Sequence, residues 1–216
     1  MNTVIAKPIK FPNHGVLTAQ IPDNILLEIK KEIDIISKNR AGSKPFNDEL
    51  VGQIADEYDL SNCKQLLKDY VNELAAAYSE QFTPLYLKSR ANVVQGSYIL
   101  ELDKLWVNFQ KKHEFNPPHN HSGAFSFVIW IKIPYNLANE FKLANSKNSN
   151  QPLNSVFFMQ YSDVLGKIHS FPLPIDSEYE GTILFFPSEL LHGVNPFYTS
   201  DEERISVSGN LFVRQI

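Results

Sequence analysis

Two kinds of hydrophobic patterning divide the chain. In its first part apolar residues recur at helical spacing, with Ile25, Ile29, Ile33 and Ile36 in ILLEIKKEIDIIS and Asp23 placed after Pro22 to cap that helix. A second stripe of Cys63, Leu66, Leu67, Tyr70, Val71, Leu74 and Tyr78 runs through SNCKQLLKDYVNELAAAYSEQ. Both helices are amphipathic, so each needs an apolar surface to cover. From Leu85 onward the pattern changes to short strands: LYLKSRANVVQ, SYILELD, KLWVNFQ, FSFVIWIKI, SVFFMQYSD, GKIHSFP, GTILFFP and RISVSGNLFV. Turn material such as NPPHNHSG and NPFYTSDEE separates them, and NLANEFKLANSKNSNQPLN reads as a long, polar, mobile insert. Strands of this length in series predict a mainly β protein, a double-sheet jelly roll or barrel with the N-terminal helices packed on one sheet. The expected organisation is a single domain over 1–216, helical in 1–84 and jelly roll in 85–216.

Strand alternation then sorts the polar residues. In RISVSGNLFV, Ile205, Val207, Leu211 and Val213 share one face, while Arg204, Ser206, Ser208 and Asn210 share the other. In KLWVNFQ, Leu105, Val107 and Phe109 oppose Trp106, Asn108 and Gln110. On exposed strands these polar faces are merely solvated. Inside a jelly roll they line a cavity, where a guanidinium and hydroxyls suit a carboxylate.

The histidines raise a second question. His119 and His121 stand one residue apart in NPPHNHSG, either aimed together at one ligand or closing a solvated loop. His192 follows the strand GTILFFP and a turn at Pro187, and antiparallel pairing in a closed roll can bring it beside the first pair. Imidazole suits iron, zinc and copper, and ligands drawn from two strand ends leave open positions for chemistry. His14, His113 and His169 fit no comparable arrangement.

Composition narrows the class without naming it. The 216 residues are 43% hydrophobic and 20% charged, with 15 Phe and 9 Tyr, which favours a globular, strand-rich domain. A net charge of −4 without a Lys/Arg run offers no overall field for nucleic acid or anionic lipid. The one cysteine, Cys63, has no partner for an internal disulfide and reads as core. No signal-peptide pattern or membrane-length apolar run is present, so a cytoplasmic protein is the expectation.

Taken in order, HNH, a strand, a polar insert, GTILFFPSELLH and then RIS resemble the Fe(II)- and 2-oxoglutarate-dependent oxygenase superfamily. The likeness extends over Trp106 to Val213 and is to an uncharacterised bacterial and viral branch with a His-x-His motif. It implies a double-stranded β-helix, cupin-like in architecture, with His119 and His192 as iron ligands. Arg204 and Ser206 match the pair that holds the distal carboxylate of 2-oxoglutarate, and Asn108 is assigned to the same pole. The family's usual motif carries Asp or Glu where this chain has His121. That gives a His119, His121, His192 metal site, or else a His121 that only hydrogen-bonds while water or Glu114 completes the coordination. The implied reaction consumes molecular oxygen and 2-oxoglutarate, releases succinate and CO2, and hydroxylates a small-molecule or peptide substrate. Two other functions fit the residues: a three-histidine cupin-type dioxygenase that needs no 2-oxoglutarate, and a non-catalytic jelly-roll binding module.

Overall fold

Strands that are apolar on both sides need cover on both sides, and the larger of two antiparallel sheets is covered differently on each. In the computed structural model, which describes residues 13–82 and 98–216, this sheet holds β1 (Leu17–Gln20), β2 (Glu57–Asp59), β3 (Tyr98–Gln110), β5 (Phe125–Lys132), β8 (Thr182–Pro187) and β10 (Arg204–Gln215). Their order is β1-β8-β5-β10-β3-β2. The smaller sheet, ordered β4-β9-β6-β7, holds β4 (Asn116–His119), β6 (Phe157–Ser162), β7 (Ile168–Leu173) and β9 (Leu191–Val194). The expected strand LYLKSRANVVQ lies outside the described residues.

Helices α1 (Asp23–Lys38) and α2 (Lys64–Gln81) cover the outer face of the larger sheet. Ile25, Ile29, Ile33 and Ile36 of α1 and Leu67, Val71, Ala75 and Tyr78 of α2 are buried in one cluster with Phe125, Phe127, Ile129, Phe185 and Val207. Ile29 is fully buried, and such a side chain contributes about 1.5–3 kcal/mol by leaving water. On the inner face, Val128, Trp130, Leu184 and Phe186 meet Phe157 and Met159 of the smaller sheet. The two periodicities therefore place the helices and the sheet sandwich as expected. Among the described residues no helix is long and apolar enough to cross a membrane.

Several local expectations are corrected. Asp23 is the first helical residue and makes no side-chain cap; Pro22 occupies the N-cap, and the Asp23 carboxylate sits in the first turn, where the helix dipole favours it. The N-terminal part is not only helical, because β1 and β2 form the two edges of the larger sheet. SYILELD and KLWVNFQ merge into the single strand β3; Asn210 pairs with Lys104 and Leu211 with Leu102, so Asp103 is the extra residue of a bulge. The insert is anchored rather than loose. It contains a short helix, α3 (Leu137–Lys142), whose fully buried Glu140 accepts hydrogen bonds from the Tyr198 and Thr199 amides and the Thr199 hydroxyl.

Candidate active site

The inner space between the sheets is not all apolar. A cavity of about 60 Å³ is lined by His119, His121 and His192, by Trp106, Asn108 and Gln110 of β3, and by Arg204, Ser206 and Ser208 of β10. Leu50, Val51 and Ile54, from the segment before β2, also line it. The alternation read from KLWVNFQ and RISVSGNLFV thus turns each polar face inward, while Leu105, Val107, Phe109 and Val207 join the core beneath the helices.

Short strands position the histidines. His192 lies on β9, not in a turn, and pairs directly with His119 on β4. Between Asn116 and His119 the register shifts by one residue at Pro117–Pro118, which have no amide hydrogen for the ladder. Next to His192, Gly193 allows close approach: a Cβ there would lie 2.6 Å from the Phe158 ring and 2.9 Å from the Asn116 carbonyl. The amide of His121 donates to the Ser188 carbonyl at 2.8 Å, and Gly123, at φ +116°, turns the chain from there into β5.

The three imidazoles converge. One ring nitrogen from each lies within 4.8 Å of the others, and the ring centroids are 4.3 Å (His119 to His192), 4.8 Å (His119 to His121) and 5.1 Å (His121 to His192) apart. Nδ1 of His119 is 2.7 Å from the Pro117 carbonyl and Nδ1 of His192 is 2.9 Å from that of Leu190. A carbonyl only accepts, so both Nδ1 atoms carry hydrogen, and in the neutral rings Nε2 holds the free lone pair. Burial lowers all three pKa values, that of His121 to about 4 with further lowering by His119 and Lys104, and that of His192 well below its ordinary value. Three neutral, converging imidazoles form a donor set that fits a divalent transition metal. Glu114 is not part of this group: its carboxylate accepts from the amides of Ala55 and Lys111.

At the other pole, Arg204 is 3% exposed. Its Nε and Nη2 lie 3.1 and 2.5 Å from Gln110 Oε1, and its Nη1 donates to the Tyr135 hydroxyl at 2.7 Å and the Ser155 carbonyl at 3.0 Å. A further bond from Nη2 to the Asn195 carbonyl at 3.5 Å engages the last donor. The guanidinium is at the cavity wall but already paired, most closely with a side chain. Asn108 sits opposite Ser206 on the neighbouring strand, its Nδ2 3.2 Å from the Ser206 hydroxyl.

Sequence reasoning missed the support beneath the histidines. Ser126 donates to Asn210 Oδ1 at 2.8 Å, so the 2.8 Å contact between Ser188 and Ser126 has Ser188 donating. This buried chain ties the residue that holds His121 to β5 and β10, and the inward parity of Asn210 was its only signal in the sequence. Tyr135 was likewise unmarked.

The sheet sandwich thus holds a histidine cluster that could bind a metal ion and a buried arginine in the lining of one cavity. Residues 104–210 match the family described as "Putative 2OG-Fe(II) oxygenase". No curated protein matches the sequence. Among solved structures, a prolyl-4-hydroxylase of Pseudomonas putida is similar with a TM-score of 0.53 at 18% identity, over 93% of this chain and 94% of that one. AviO1 of Streptomyces viridochromogenes Tue57 is similar with a TM-score of 0.51 at 11% identity, over 93% and 91% of the two chains. At these identities the likeness is one of fold, the double-stranded β-helix.

Proposed function

We propose that this protein is an Fe(II)- and 2-oxoglutarate-dependent hydroxylase acting on a small molecule or peptide. The observation that carries the reading is one cavity with three neutral imidazoles at one pole and Arg204 and Ser206 at the other. His119, His121 and His192 would hold the iron; burial keeps each ring unprotonated and therefore able to ligate at neutral pH. Arg204 and Ser206 would hold the distal carboxylate of the keto acid, with Asn108 hydrogen-bonded to the Ser206 hydroxyl behind them. Bound iron with 2-oxoglutarate supplies the oxidising chemistry, with O2 consumed and succinate and CO2 released. The chain's own contribution is positioning and exclusion of water: Trp106, Val128, Trp130 and Phe157 supply apolar wall, and Leu50, Val51 and Ile54 line the cavity from the segment before β2.

A second reading, a three-histidine dioxygenase without 2-oxoglutarate, is favoured by one observation, the complete engagement of the Arg204 donors by protein acceptors. Calorimetric titration of the metal-loaded protein with 2-oxoglutarate tests the first reading against the second. Saturable binding supports the hydroxylase; absence of binding supports the alternative.

A further inference from the structure

Ser206 and Ser208 both present hydroxyls to the cavity, and a hydroxyl can face an anion in two ways, with its hydrogen toward it or with its lone pairs. Only the first attracts. The contacts of Asn108 decide between them. The indole Nε1 of Trp106 can only donate, and it lies 3.1 Å from Asn108 Oδ1, so the amide orientation is determined by chemistry: oxygen toward the indole, nitrogen away. Trp106 is itself held, 3% exposed and stacked on Phe46 with centroids 5.3 Å apart and planes 13° apart. The Asn108 Nδ2 hydrogens then reach Ser206 Oγ at 3.2 Å and, sharing the second position, Ser208 Oγ and the Ser206 carbonyl at 3.4 Å each. Each hydroxyl oxygen accepts from the amide, which leaves its own hydrogen free. Among the described residues neither hydroxyl donates to a protein acceptor.

We propose that Asn108, set by Trp106, is a positioning residue that turns the hydroxyl hydrogens of Ser206 and Ser208 into the cavity, making the wall beside Arg204 a surface of donors for a carboxylate. This rests on the reading of the cavity as a keto-acid site. Asn108 on this account does not touch the acid; it acts through the serines. An aspartate at that position accepts from the same hydroxyls, reverses both hydrogens and adds a negative charge, whereas leucine merely releases the hydroxyls.

The test is calorimetric titration of the metal-loaded full chain with 2-oxoglutarate, with melting temperature recorded for every variant. Asn108→Asp should weaken binding by roughly tenfold or more, Asn108→Leu by less, and Trp106→Phe, which keeps the aromatic packing but removes the indole N–H, should shift it the same way. In a background carrying Ser206→Ala and Ser208→Ala, Asn108→Leu should cause no further loss. A full, additive loss in that background means that Asn108 contacts the acid itself and overturns the proposal, as does wild-type affinity in both Asn108→Asp and Trp106→Phe. Failure of the unaltered protein to bind 2-oxoglutarate removes the keto-acid reading and this inference together; binding by the unaltered protein with indifferent variants removes this inference alone.

Discussion

His119 and His192 face each other directly across β4 and β9, with ring centroids 4.3 Å apart and each Nδ1 bonded to the carbonyl two residues earlier in the chain. The repeated backbone bond gives both rings the same tautomer and leaves both Nε2 lone pairs for a shared ligand. His119→Ala and His192→Ala should each lower Fe(II) or Co(II) affinity by more than the ~10–100-fold that loss of an outer partner of a metal ligand costs. The fold should survive, since neither histidine belongs to the two hydrophobic clusters, with some loss of stability in His192→Ala because that ring packs on Phe157 and Phe186. Equilibrium dialysis alongside circular dichroism checks this; stoichiometric metal in the His192→Ala protein rules the site out.

By the resemblance read from the sequence, His121 corresponds to a position where the oxygenase motif usually has a carboxylate. His121→Asp should retain metal, because it supplies an anionic ligand at the same place, whereas His121→Ala should lose it. Equal affinity in the unaltered protein and both variants would show that His121 is not a ligand. A metal-bound crystal structure gives the direct reading, a His121 nitrogen at about 2.0–2.3 Å from the ion, by the zinc and imidazole distance.

Much of this site was legible because it depends on strand parity. Trp106, Asn108 and Gln110, and Arg204, Ser206 and Ser208, are inward residues of two long strands, and an alternation of period two identifies them without tertiary information. The helices were legible for the same reason at a different period, through Ile25 to Ile36 and Leu67 to Tyr78. What stayed hidden depends on pairing between distant segments. β4 and β9 span four residues each and contain Pro117, Pro118 and Gly193, so propensity describes them as turns, and only their mutual pairing makes them strands. The partners of Arg204 are similarly remote, Gln110 at 94 residues' separation and Tyr135 at 69.

Gln110 Oε1 occupies the guanidinium edge formed by Nε and Nη2 of Arg204, the edge best suited to a carboxylate. For 2-oxoglutarate to take that edge, Gln110 must turn away. Gln110→Leu should therefore strengthen 2-oxoglutarate binding, by up to about tenfold. Weaker binding in that variant would mean that the amide assists the acid instead of standing in for it.

Glu57 is 1% exposed, opposite Asn108 across β2 and β3, and burial together with the nearby Glu114 charge raises its pKa to about 7. Its Oε1 and the Asn116 Oδ1 are both buried without a partner, and both lie beside Gly52. The folded protein thus holds the proton more tightly than the unfolded chain, whose glutamate titrates near 4.5. The stability this confers is fully present below that lower value and is lost as pH rises to about 7, a change on the order of 3 kcal/mol. Glu57→Gln, which stays neutral and supplies an N–H to this pocket, should flatten the decline. Urea midpoints at acidic and alkaline pH check it; an equal decline in the variant assigns the effect to other groups.

The central claim is that the histidine pole and the arginine pole serve one metal-bound keto acid. Anaerobic titration of the iron-loaded protein with 2-oxoglutarate, followed by visible absorption, tests it without any substrate. A charge-transfer band that grows to saturation at equimolar 2-oxoglutarate, and is absent in the His192→Ala protein, is the predicted result. Iron binding with no band at any 2-oxoglutarate concentration would contradict the account.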